Sequence, residues 1–227
     1  MKILGLQKLS LLDFPGKIAC TVFLGGCNFR CPYCHNGSLA LGEGDEVMGY
    51  DEFFAFLESR RGRLEGVCVS GGEPTIHREL PEFIGRIKEL GYAVKLDTNG
   101  TNPEMLLGLI NDGLVDYVAM DIKNSPERYE DSVVINAELV DEIRRSADLL
   151  MDGRVDFEFR TTLMRELHGE EEIEAIGRWL SGDEKFFLQT YRDEGDLLVG
   201  GFTAHSEEEK KTLVNILRRY IPKAKFR

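Results

Sequence analysis

The sequence has no apolar run near the ~20 residues that a bilayer-crossing helix requires, so no membrane-spanning helix is expected. Its opening stretch, MKILGLQKLSLLDFPGK, carries neither a long apolar region nor a small-residue cleavage site. A secretory leader is therefore not expected, and the cytoplasm is the expected compartment. Basic residues are in deficit: 28 Lys+Arg against 40 Asp+Glu give a formal charge of -12. Such a surface repels phosphate backbones, which argues against general nucleic-acid binding. No Pro/Ser-rich linker, composition break or repeat divides the 227 residues. One domain over 1–227 is expected: a lead-in over 1–16, a core over 17–192 and a helical extension over 193–227. Cysteine is scarce as well, and the five present are odd in number. In a reducing compartment that argues against a disulfide framework and for metal-binding or catalytic thiols.

Short β-rich runs alternate with helical patterns. The periodicity predicts strands over 18–24, 66–70, 92–97, 117–123, 156–163 and 186–191. Helices are predicted between them, over 51–60, 80–90, 103–112, 137–150 and 171–180. A last helix is predicted after Ser206, which forms an S-x-x-E capping box with Glu209. Strand–helix alternation implies parallel strands joined by right-handed crossovers. Six units fall short of the usual eight, so an incomplete barrel or an open sheet is expected. In either, chemistry belongs at the carboxyl ends of the strands.

Three of the five cysteines sit there together. GCNFRCPYCHN, residues 26 to 36, follows the first predicted strand and places Cys27, Cys31 and Cys34 in a C-x3-C-x2-C array. Gly25 and Gly26 permit a tight turn before it. Thiolates are soft ligands that suit zinc or an iron–sulfur cluster. His35 could complete a zinc site, but adjacent residues seldom aim both side chains at one tetrahedral ion. A cluster held by three cysteines would leave one iron free for a substrate.

Each later strand end also carries candidate groups. VCVSGGEP, residues 67 to 74, offers two glycines for close backbone approach, the Glu73 carboxylate and the stiffening Pro74. LDTNG ends the third strand and MDIK the fourth, placing Asp97 and Asp121 at equivalent points of adjacent strands. Two such carboxylates repel unless a positive charge intervenes. Arg160 lies on the fifth strand, and QTYR, residues 189 to 192, ends the sixth. Cys20 and Cys68 fall inside strand patterns and read as buried small hydrophobes. His77, His168 and His205 read as turn or surface residues.

The ordered set of C-x3-C-x2-C, GGEP, DTNG and DIK resembles the radical S-adenosylmethionine (radical SAM) superfamily. That resemblance implies an α/β fold, a partial (β/α)6 TIM-like barrel. It also implies a [4Fe–4S] cluster on Cys27, Cys31 and Cys34, and reductive cleavage of SAM to a 5′-deoxyadenosyl radical. Arg160 could pair with the SAM carboxylate through its fork of donors, or form a surface ion pair. By the resemblance, SAM would contact Tyr33, Gly71, Gly72, Glu73, Asp97, Lys123, Tyr191 and Arg192. The last stands where the similar activases carry histidine. DTNG with MDIK is similar to glycyl-radical activating enzymes, the pyruvate formate-lyase activase among them. The similarity implies a monovalent cation (Na+ or K+) at Asp97, Thr98, Met120 and Asp121.

LLDFPGK resembles the Asp-x-Pro-Gly segment of those activases, and Asp13 is implied as a contact to the partner. The opening GLQKLSLLDFPGKIACTVFLGGCNFRCPYCHNG most resembles activating proteins of anaerobic (class III) ribonucleotide reductase. Such a protein takes an electron from a donor such as flavodoxin or ferredoxin and removes hydrogen from a glycine of a glycyl-radical enzyme. Three alternatives stay open: a radical SAM enzyme acting on a small molecule, as in deazaguanine or cofactor biosynthesis; a zinc-binding module; and an iron–sulfur electron carrier.

Overall fold

The computed structural model describes residues 1–134, 137–183 and 185–227. Eight strands form one sheet in chain order: β1 Ile3–Ser10, β2 Ala19–Leu24, β3 Gly66–Gly71, β4 Ala93–Thr98, β5 Tyr117–Asp121, β6 Asp156–Leu163, β7 Phe186–Thr190 and β8 Lys225–Phe226. From β2 to β8 every pairing is parallel. The intervening helices are α1 Gly37–Leu41, α2 Tyr50–Ser59, α3 Leu80–Glu89, α4 Pro103–Asn111, α5 Tyr129–Ser132, α6 Ala137–Met151, α7 Glu170–Trp179 and α8 Glu207–Leu217. The six predicted strands are β2 to β7, each within two residues of its expected ends.

Two strands were not expected. The supposed lead-in contains β1, which pairs antiparallel with β2, Leu6 opposite Val22. Its middle residues are half-buried or exposed, so it lacks the apolar periodicity of the central strands. The extension over 193–227 is not purely helical either. After α8 it returns as β8, whose two residues are too few for any periodic signal. The cap of α8 is as predicted: Glu209 N–H donates to Ser206 Oγ at 3.3 Å, and Ser206 N–H donates to Glu209 Oε2 at 2.7 Å.

Alternation along the strands decides which face carries chemistry. Cys20, Val22, Val69, Leu96, Val118 and Phe159 point outward into the core shared with the helices. Their neighbours Thr21, Cys68, Lys95, Asp97, Glu158 and Arg160 occupy the other face, where Cys68, Lys95, Asp97 and Arg160 are linked in a chain of contacts across the barrel interior. Phe14, Ala19 and Tyr117 pack together at the opposite, amino end and close it. The polar interior therefore opens toward the carboxyl edge, where the cysteine loop lies.

Candidate active site

Glycine contacts fix the cysteine loop against the neighbouring strand. Gly71 has φ +134°, and a Cβ on it would lie 2.1 Å from the Leu24 carbonyl oxygen. Gly72 N–H donates to Leu24 O at 2.9 Å and Glu73 N–H to Gly26 O at 2.8 Å. The GGE backbone is thus zipped onto the two glycines that precede Cys27. The His77 ring Nε2 bonds the Gly25 carbonyl at 3.0 Å, so this residue supports the same turn.

Cys27, Cys31 and Cys34 all line one cavity of about 290 Å³. Phe29 N–H donates to Cys27 Sγ at 3.3 Å, and Cys34 N–H donates to Cys31 O at 3.0 Å. Burial pushes the Cys27 thiol up to about 11 and the Cys31 thiol up to about 12, so metal binding there must release protons. His35, the candidate fourth zinc ligand, gives its Nε2–H to the Arg192 carbonyl at 2.6 Å. Among the described residues, no three His, Cys, Asp or Glu side chains close in on a single ion. The three thiols share one cavity lining, and soft sulfur donors suit an iron–sulfur cluster. Tyr33 lines the same cavity, and its buried hydroxyl has no partner among the described residues. A ligand acceptor would satisfy it.

Glu73 is almost fully enclosed, and its carboxylate ties the ends of β3 and β4 together. Its Oε1 accepts from Thr75 N–H at 3.0 Å, Thr75 Oγ1 at 2.6 Å and Thr98 Oγ1 at 2.8 Å. Among the described residues its Oε2 accepts only from Asn99 N–H, at 2.6 Å, and keeps capacity for one more donor. Burial raises this carboxyl above the ordinary range even against those four donors. Asn99 also donates to Asn28 of the cysteine loop at 2.9 Å, and Asn28 donates to Thr101 at 2.8 Å.

The two aspartates face a row of cations. Arg160 Nε donates to Asp121 Oδ1 at 2.9 Å, and its Nη1 is 3.6 Å from Asp97 Oδ1. Lys123 Nζ reaches Asp121 Oδ2 at 3.1 Å, and Lys95 Nζ pairs directly with Asp97. Burial alone would raise both carboxyls, but the Arg160 guanidinium and the lysines hold them down, Asp121 to about 2. Asp121 in turn outweighs desolvation at Lys123 and holds its ammonium well above the usual range.

Behind Lys123 lies a shell that the motifs did not reveal. Met164 N–H donates to His168 Nδ1 at 3.1 Å, so the ring proton sits on Nε2, which donates to the Lys123 carbonyl at 2.8 Å. Tyr129 accepts from Lys123 N–H at 3.1 Å, and Thr161 Oγ1 donates to the Ile122 carbonyl at 2.7 Å. His168 and His205 are buried, which corrects their reading as turn or surface residues. Only the return of distant loops brings His168 to Lys123, and no local spacing signals it.

Twelve of the predicted residues line the cavity, Gly71, Gly72, Asp97, Thr98, Lys123 and Arg160 among them, and four do not. Met120 faces outward: a Cβ on Gly100 would lie 2.2 Å from its Cε. Tyr191 is buried against His35 and Phe202 and donates to Asp193 Oδ1 at 2.6 Å. Arg192 also lies outside the cavity lining, and its carbonyl accepts from the His35 ring. Thr162 and Gln189 line the wall on β6 and β7 instead. Asp13 accepts from Thr21 Oγ1 at 2.6 Å, level with Cys68 and Lys95 and one layer below Asp97. An unanticipated strap also crosses the cysteine loop: Gly37 N–H and Ser38 N–H donate to Asp196 O and Oδ2 at 2.7 and 2.6 Å, and Val199 N–H to Pro32 O at 3.0 Å.

Residues 21–180, from β2 through α7, match the model of the Radical SAM superfamily. The chain belongs to this superfamily. A Methanocaldococcus jannaschii protein named provisionally as a glycyl-radical enzyme activating enzyme, MJ1227, is 34% identical over 96% of this chain and 92% of its own. The 7-carboxy-7-deazaguanine synthase of Neisseria meningitidis is also 34% identical, over 59% of this chain and 56% of its own. Among solved structures, Streptococcus suis SuiB bound to S-adenosylmethionine aligns with a TM-score of 0.69 at 12% identity, covering 91% of this chain and 51% of that one. That likeness establishes the partial barrel of radical SAM enzymes. The superfamily implies a [4Fe–4S] cluster and SAM, and the three cavity thiols and the unpartnered Tyr33 hydroxyl fit them.

Proposed function

We propose that this radical SAM enzyme removes a hydrogen atom from a backbone glycine of a partner glycyl-radical enzyme. The proposed partner is anaerobic ribonucleotide reductase, with a flavodoxin or ferredoxin as electron donor, all in the cytoplasm. The observation that carries the reading is one cavity lined by three thiols on one side and the ionic wall of Asp97, Asp121, Lys123 and Arg160 on the other. The glycyl-radical class is supported by similarity along nearly the whole chain to an activating enzyme, whereas the deazaguanine synthase match spans 59% of it. The partner is supported by the opening segment through CPYCHNG.

When bound, the cluster and SAM supply the reductive, hydrogen-abstracting chemistry. The chain's part is to hold and orient. Cys27, Cys31 and Cys34 would each ligate one iron. Lys123 and Arg160 offer charged donors to the SAM carboxylate, and Glu73 Oε2 has room to accept from its ammonium group. Gly71 and Gly72 leave backbone rather than side chains at the wall. Neither Asp97 nor Asp121 is set to act as a base, because each carboxylate is paired and held below its ordinary pKa.

The test is anaerobic. Reconstituted, reduced protein mixed with SAM and the candidate reductase is expected to give 5′-deoxyadenosine together with a glycyl EPR doublet. Hydrogen loss from a metabolite, with no doublet in any glycyl-radical partner, would move the enzyme to the small-molecule class.

A further inference from the structure

We infer that the chain's own cations, Lys95 foremost, replace a free monovalent ion in the carboxylate wall, so that SAM binding requires neither Na+ nor K+. The resemblance to activases assigns such an ion to Asp97, Thr98, Met120 and Asp121. Most of the side-chain oxygens of those residues are already engaged. Thr98 Oγ1 is committed to Glu73 at 2.8 Å while accepting from Gly100 N–H at 3.1 Å. Met120, whose implied ligand is its backbone carbonyl, is not among the cavity-lining residues, and its side chain lies on the outer face.

Both aspartates already meet fixed positive charge. Asp97 pairs with Lys95 and faces Arg160, and Asp121 bonds both Arg160 and Lys123. Two anions against three cations leave the wall at a net charge of one positive, the complement of a single incoming carboxylate. A further ion would be repelled by these ammonium and guanidinium groups at contact distance. Lys95 completes the balance. Its side chain is 2% exposed, so water does not screen its charge. Its other neighbour is Cys68 Sγ, at 3.7 Å, a weak acceptor that leaves the ammonium to Asp97. Lysine at 95 lies on the inner face of β4, two residues before Asp97, within the alternation that aims both into the barrel.

This inference rests on SAM occupying the cavity. The decisive measurement is equilibrium binding of SAM to anaerobic holoprotein in buffer whose only cation is tetramethylammonium, then with Na+ or K+ added at matched ionic strength. Wild-type affinity is expected to change by less than about twofold between these conditions. Lys95→Met is expected to lose about tenfold in tetramethylammonium and to recover on adding Na+ or K+, while Lys95→Arg stays independent of both. Sodium-23 linewidths should not broaden with wild-type holoprotein. A wild type that needs the ion for affinity, or a Lys95→Met that gains no dependence on it, overturns the inference. Should Lys95→Met fail to fold by circular dichroism, the wild-type salt comparison and the sodium linewidth decide alone. Absence of SAM binding in every salt rejects the SAM site itself, and this inference with it.

Discussion

Gly72 lies against Gly26 with no room for a side chain between them: a Cβ on Gly72 would stand 2.0 Å from the Gly26 carbonyl oxygen. The contact joins the end of β3 to the residue before Cys27, so strand geometry and cluster-loop geometry are one object. Gly72→Ala must push the cysteine loop away. The expected cost is about 1–3 kcal/mol of stability, with a barrel still folded by circular dichroism and reduced iron content after reconstitution. Full iron loading in that variant would show that the contact does not place the thiols.

The five cysteines divide by face and by loop. Cys31→Ala is expected to abolish SAM cleavage and to lose cluster absorbance, because one iron loses its protein sulfur. Cys20, fully buried on the outer face of β2, should behave differently. Cys20→Ala is expected to cost about 1 kcal/mol in denaturant unfolding and to leave iron stoichiometry unchanged. Loss of iron from the Cys20 variant would contradict the division.

His168 makes stability depend on pH. Burial lowers its pKa from 6.5 to about 4, and its ring holds the Lys123 carbonyl while neutral. As pH falls below 6.5 the unfolded chain takes a proton on this ring and the folded chain does not, until about pH 4. The contribution is therefore complete above that upper value and shrinks as pH drops through the window, by roughly 3 kcal/mol in all. Urea unfolding of wild type and His168→Gln across this range should show a shallower slope in the variant. Parallel slopes would remove His168 as the cause. The low pKa of Asp121 adds a separate loss that begins only below its ordinary value of 3.8.

Arg227 closes the interior from β8. It makes a two-pronged pair with Glu158, at 2.8 and 2.9 Å, and Tyr117 donates to the same carboxylate at 2.9 Å. The Glu158 side chain is 1% exposed, so Arg227→Met strands a buried charge. The expected loss is about 3–5 kcal/mol, and adding Glu158→Gln should restore most of it. A thermal melt of the single and double variants checks this; equal melting temperatures would show the pair to be dispensable.

Most of the parallel barrel was legible because each unit repeats a local pattern: an apolar β run, a turn and an amphipathic helix. Strand β1 was missed because an edge strand with one wetted side carries little periodic signal, and β8 because two residues carry none. The candidate site was legible where chemistry is packed into a short spacing, as in C-x3-C-x2-C and GGEP. Spacing says less where the chain bends just past a motif. Tyr191 and Arg192 follow the end of β7, yet the chain turns there to strap the cysteine loop, and they leave the cavity.

The sequence by itself determined which strand ends carry thiols, carboxylates and close-approach glycines, because covalent order and the two-residue strand period assign each residue an edge and a face. Only tertiary structure decided how the charges pair. Lys95 meets Asp97 across a local two-residue step, but Arg160 reaches both aspartates from β6, and His168 supports Lys123 from 45 residues away. Those partners are set by sheet register and by loops folding back, and electrostatics acts through space rather than along the chain.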